Sequence, residues 1–107
     1  MTVQMRSEYW QAARAIAEDL SSTRTDVNEL KKVVSYLCWL RNRDVTVTTE
    51  QLLHYLDTLA THGEVRSNQT PEYYRAIARA CRSHLGELLL EGDALIQVLG
   101  WAGRLQR

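Results

Sequence analysis

Proline is nearly absent from this sequence: Pro71 stands alone in 107 residues, and glycine occurs five times. So few helix breakers in a chain of this length favour long helices. The β-branched residues form no alternating run of the kind that builds strands. The one short candidate, Val45-Thr46-Val47, runs at once into a helix start signal and reads as a linker. Cysteine is scarce too. Cys38 and Cys81 each sit on an apolar helical face, with no CxxC neighbour and no histidine at metal-ligand spacing. That pattern predicts two small, buried, reduced side chains. No run approaches the roughly 18 apolar residues of a membrane span. The stretch from Met1 to Arg6 lacks the apolar region of a signal peptide, so the expectation is a cytoplasmic protein with no membrane partner.

An excess of one charge is missing as well. Thirteen basic residues face 13 acidic ones, for a formal net charge of zero. Balance argues against a protein that holds nucleic acid by bulk charge alone. The basic set is lopsided, with eleven Arg against two Lys. Arginine suits planar, multidentate contact with phosphate and carboxylate, although a GC-rich coding bias produces the same ratio.

Catalytic signatures are absent: there is no glycine-rich phosphate loop, no nucleophile elbow and no HExxH. His54 and His62 lie two turns apart on one helix, too far to share a metal unaided. His84 falls on an apolar face, where a satisfied core or boundary histidine is the plain reading. Glu50 and Asp57 belong to a solvent face and form no acid–base pair. The expectation is a non-enzyme with no metal and no cofactor.

What is present is helical periodicity. The 45% apolar content supports a folded chain, and the length fits a single helical domain over residues 1–107. Apolar residues at 3–4 spacing predict an all-α bundle of about five helices. The first runs from about Ser7 to Leu20. The second spans about Val27 to Arg43, with Asp26 and Glu29 as an N-cap pair. The third spans Thr49 to His62, with Thr48 and Gln51 as a capping box and Gly63 as its C′ residue. The fourth starts with Thr70 as cap and Pro71 in the first helical position, lines one face with Tyr74, Ile77, Cys81, Leu85 and Leu88, and closes at Glu91-Gly92. The fifth starts at an Asp93 cap.

Three faces of these helices carry chemistry. On the fourth, Arg75, Arg79 and Arg82 recur at i, i+4 and i+7, with no acid between them in sequence. They fall within about 60° of one another at 100° per residue. Such a stripe can track a phosphate backbone without reading bases, or it is a solvated face with a Glu72–Arg75 pair. On the second helix, Lys32, Tyr36, Trp39 and Arg43 interleave cations with aromatics, which suits base stacking with charge on the backbone. Alternatively the aromatics face a neighbouring helix and the cations snorkel at its edge. Lys31 and Arg41 add charge nearby. The fifth helix is apolar nearly all round, carrying Leu95, Ile96, Leu99, Gly100, Trp101 and Gly103. Such a helix is central in the bundle or docked on a partner. Two interior glycines suggest a packing reason, since each costs about 1 kcal/mol.

The segments Asp26–Arg43 (DVNELKKVVSYLCWLRNR) and Thr70–Leu85 (TPEYYRAIARACRSHL), set in a five-helix chain of this length with arginine stripes, resemble the small subunit of CRISPR effector complexes. Related folds occur as the C-terminal helical domain of the large subunit there. The resemblance implies a non-catalytic structural subunit whose copies stack along a backbone of guide-bearing subunits. It implies contact with the sugar-phosphate of the guide–target duplex or the displaced DNA strand, without sequence specificity. Arg75, Arg79, Arg82, Lys31, Lys32, Arg41, Arg43 and Trp39 are then the expected RNA or DNA contacts. The fifth helix would pack against a copy of itself or another subunit of the complex. The alternative is a protein-only helical adaptor or oligomerisation domain, with the arginines in surface ion pairs.

Overall fold

The computed structural model describes residues 7–62, 70–86, 88, 90 and 92–106, the side chains of His62 and Thr70 apart. It contains five α-helices: α1 Ser7–Ser22, α2 Val27–Asn42, α3 Thr49–His62, α4 Thr70–Leu85 and α5 Gly92–Leu105. Among the described residues there is no strand, and no helix is long and apolar enough to cross a membrane. The all-α bundle expected from periodicity is the architecture found.

Local chemistry sets the boundaries. The Thr48 Oγ1 accepts from the Gln51 amide at 3.1 Å, and the Gln51 Oε1 accepts from the Thr48 amide at 3.2 Å. That is the reciprocal capping box read from the sequence. Asp26 caps α2 by accepting from the Asn28 amide at 2.9 Å. Glu29 departs from its expected capping role: its carboxylate turns inward and is buried. Helices α1 and α2 both end with a non-glycine residue in the left-handed region, Arg24 at φ 55° and Asp44 at φ 60°. Behind Arg24, the Thr25 amide donates to Leu20 O at 2.9 Å and the Arg24 amide to Ser21 O at 3.1 Å. The pattern around Asp44 is the same, with Val45 donating to Leu40 O. This is the turn in which glycine fits freely and a side chain costs about 1 kcal/mol.

The fourth helix is shorter than the sequence predicts. It ends at Leu85, and Gly86 and Leu88 lie in turns. Helical spacing placed Leu88 on the α4 face. Instead the chain leaves the helix there, and Leu90 becomes part of the core. A tertiary contact explains the change. The Gly92 amide donates to Val47 O at 2.7 Å, and Thr49 Oγ1 donates to Leu90 O at 3.3 Å. The link before α3 and the segment before α5 are thereby tied together, and Val47 is fully buried in what the sequence reads as a linker. Gly92 makes the turn with φ +59°, where a Cβ would be strained. The expected Asp93 cap is the second residue of α5, and its carboxylate receives Arg41 instead. Gly63, the 64–69 loop and Glu91 lie outside the described residues.

Packing follows the apolar stripes. α3 lies along α4, α1 packs on α5 and α4, and α2 packs on α5 and touches α4. Ile16, Leu20, Leu30, Leu37, Leu52, Leu56, Ile77, Leu85, Leu95 and Leu99 are fully buried between them. Each such side chain contributes about 1.5–3 kcal/mol of apolar burial. α2 and α4 are joined by a polar contact, in which the Tyr74 hydroxyl donates to Glu29 Oε2 at 2.6 Å.

Candidate nucleic-acid interface

The inward side of α2 is fixed by Leu30, Val33 and Leu37, all buried. Its opposite side therefore faces outward along the whole helix. Asn28, Lys31, Lys32, Ser35, Trp39, Asn42 and Arg43 are all exposed there. The only acid inside the helix, Glu29, is on the buried side, so this face carries cations and no carboxylate.

An aromatic column crosses the helix. Tyr55 of α3 stacks on Tyr36 with ring centroids 4.0 Å apart and planes 14° from parallel. Tyr36 in turn lies 6.0 Å from Trp39 at 20°. The Arg43 guanidinium sits 4.3 Å from the Trp39 ring centroid. Trp39 remains 50% exposed, a large apolar surface left in water. Both readings of these aromatics find a place: Tyr36 faces α3, while Trp39 faces solvent. Burial against the column pushes the Tyr55 phenol above its ordinary range, with Tyr36 adding to the effect. A column of parallel rings ending in an exposed indole and a guanidinium can extend by one more planar group.

The arginine stripe of α4 fares differently. Arg75 pairs with Glu72, and the Arg82 guanidinium donates to both Asp57 oxygens at 2.9 and 3.2 Å. The stripe free of acids in sequence is thus neutralised from α4 itself and from α3. Only Arg79 of the three has no acid partner among the described residues. Arg41 is taken by Asp93 at 2.8 Å, and Lys32 reaches Glu29 Oε1 at 3.2 Å. Such pairs add at most about 1 kcal/mol of stability each at the surface, yet they remove free charge from the field a phosphate meets. Of the eight expected contacts, Lys31, Trp39, Arg43 and Arg79 stay open to a ligand. His84 is a boundary residue, paired with Asp19 of α1 at 2.8 Å. Both cysteines are free, Cys81 buried and Cys38 half-buried. Among the described residues no cluster of three or more His, Cys, Asp or Glu could hold a metal.

The expected interface on α5 needs correction. Leu95, Ile96 and Leu99 are buried in the bundle against α1 and α2, so they cannot present themselves to a partner. Trp101 is half-covered by Trp10, their centroids 4.6 Å apart, and Arg104 lies 4.9 Å over its ring. Gly100 and Gly103 remain, on the floor of a groove of about 340 Å³ between α2 and α5. Packing within the bundle does not demand either glycine. A Cβ at Gly100 meets nothing within 4 Å, and one at Gly103 meets Leu30 Cδ2 at an ordinary 3.7 Å. Gly100→Ala is accordingly expected to stabilise the fold by about 1 kcal/mol. That corresponds to a rise of roughly 4–8 °C in the melting temperature by calorimetry, and an unchanged or lower value refutes it.

Sequence reasoning missed Tyr55, because nothing local marks the base of a column completed by another helix. It also missed Arg24, which stands outside any stripe. No protein-family model, curated protein or solved structure matches this chain.

Proposed function

We propose that this chain is a non-catalytic nucleic-acid-contacting subunit of a larger ribonucleoprotein. It grips the sugar-phosphate backbone with the outer face of α2 and does not read base sequence. The CRISPR effector small subunit is the kind of assembly that the resemblance suggests. The observation that carries the reading is Trp39, half-exposed at the end of an aromatic column, beside Arg43 and about two turns from Lys31 on an α2 face without a carboxylate. Stacking on such a ring is worth about 1–3 kcal/mol per base and tolerates any sequence.

The test is binding of a dye-labelled single-stranded oligonucleotide of about 30 residues at two salt concentrations, followed by the fluorescence anisotropy of the dye. Affinity should fall as salt rises. Trp39→Ala should weaken binding by about tenfold or more, and Lys31→Glu/Arg43→Glu should abolish it. Arg75→Glu and Arg82→Glu should do little, because both cations are already paired. A native complex that purifies free of nucleic acid sinks the reading. The second reading, a protein-only adaptor, draws support from the pairing of Arg41, Arg75 and Arg82 with acids, and it gains from that outcome.

A further inference from the structure

We infer that the turn between α1 and α2, together with the face of α4 opposite it, forms a binding site for a phosphate ester, held by Arg24 and Arg79. The two arginines come from separate elements and line one open pocket of about 530 Å³. Neither has an acid partner among the described residues. The carboxylate that also lines the pocket, Glu72, is engaged by Arg75. An anion placed in this pocket is attracted by both guanidinium groups, neither of which is neutralised by an acid among the described residues.

Hydrogen bonds fix the backbone of the turn that carries Arg24. Thr23 Oγ1 lies 2.9 Å from Thr25 Oγ1 and donates back to the α1 carbonyls, and Gln106 Nε2 from the end of α5 donates to Thr25 O. Arg24 itself is kept in the left-handed region at φ 55°, where glycine would close the same turn without strain. A strained, rigid backbone that points a long cation at a pocket suits recognition better than stability. Ala76 and the half-buried Tyr73 give the other wall a flat, partly apolar surface, which fits the sugar attached to a phosphate. The ligand class is therefore a phosphate ester. Two sources share that chemistry: a nucleic-acid backbone, in which case the site deepens the reading above, and a free nucleotide, in which case it stands apart from it.

The experiment follows the arginine Nε–H signals of the full chain by NMR. Inorganic phosphate, adenosine monophosphate and a thymidine oligonucleotide of about 12 residues are titrated separately. Phosphate and the nucleotide should shift Arg24 and Arg79 ahead of Arg14 and Arg104. Arg24→Gly should raise the dissociation constant about tenfold while raising the melting temperature, since it removes both the cation and the strain. Arg79→Lys should weaken binding less than Arg79→Ala. Uniform shifts across all arginines, or an affinity unchanged in Arg24→Gly and in Arg79→Ala, overturn the site. Oligonucleotide binding that survives Arg24→Gly/Arg79→Ala but not Trp39→Ala, with no response of Arg24 or Arg79 to phosphate or the nucleotide, also overturns it and leaves the α2 reading intact. Shifts at Arg24 and Arg79 with the small phosphates, and no oligonucleotide binding at all, support the site and sink the α2 reading.

Discussion

Titration from about pH 8 to pH 12 is expected to destabilise this protein steeply, with the buried Cys81 thiol alone removing about 4 kcal/mol of stability. Cys81 is fully buried on the inner face of α4, and burial pushes its thiol from 9.0 up to about 12, with only a slight opposing pull from Arg82. In the unfolded chain the thiol ionises near 9.0. Between those values the folded state keeps a proton that the unfolded state has lost, so stability falls as pH rises. The contribution is whole below about pH 9 and gone by about pH 12, at about 1.4 kcal/mol for each pH unit. Tyr74 and Tyr55 act in the same direction above about pH 10. Burial raises both, and the hydrogen bond to Glu29 raises Tyr74 further. A domain of this size has about 5–15 kcal/mol in all, so the sum decides whether it stays folded. Urea midpoints followed by far-ultraviolet circular dichroism at closely spaced pH values measure the slope. Cys81→Ala should flatten it between about pH 9 and pH 10, below the ordinary range of the two raised tyrosines. A wild-type protein with constant stability across that window contradicts the assignment.

Tyr74→Phe should destabilise the fold by about 1–3 kcal/mol, and Glu29→Leu added to it should restore much of the loss. The Tyr74 hydroxyl donates to Glu29 Oε2 at 2.6 Å inside the α2–α4 contact, where Glu29 is only 8% exposed. Removing the donor leaves a carboxylate oxygen in an apolar setting, with Lys32 reaching only the other oxygen at 3.2 Å. An unpaired buried group forfeits its full hydration, whereas removing both partners forfeits only the net value of the bond. A double-mutant cycle in urea isolates the coupling. Additive single effects would show that the two residues act independently and that this contact does not fasten α2 to α4.

The same pair shows where the sequence could be read and where it could not. Thr48 and Gln51 lie three residues apart, and their reciprocal bonds depend on nothing else, so the capping box was legible. Glu29 sits at the same spacing from Asp26, but Tyr74, 45 residues on, wins its carboxylate. The α4 stripe misled for a similar reason: the acid that neutralises Arg82 is Asp57 of α3. The end of α4 was misplaced because Leu88 continues the helical period, while the Gly92 amide bonds to Val47 O and the Thr49 hydroxyl to Leu90 O, contacts that no periodicity encodes. On α2, the spacing of Lys31, Trp39 and Arg43 marked the exposed face. What it could not show was the column beneath Trp39, since Tyr55 comes from another helix.

The packing of α1 on α5, fastened by Trp10 against Trp101, has a consequence for synthesis on the ribosome. The first of the five helices to be made meets its main partner only when the last has emerged. Until then Ile16 and Leu20 have no α5 to cover them, and the aliphatic surface that α5 will later occupy is open to whatever lies near the exit tunnel. Helices α3 and α4, neighbours in both sequence and space, have no such delay. The nascent chain is thus expected to carry a folded α3–α4 hairpin while α1 waits, which gives chaperones a defined interval in which to act.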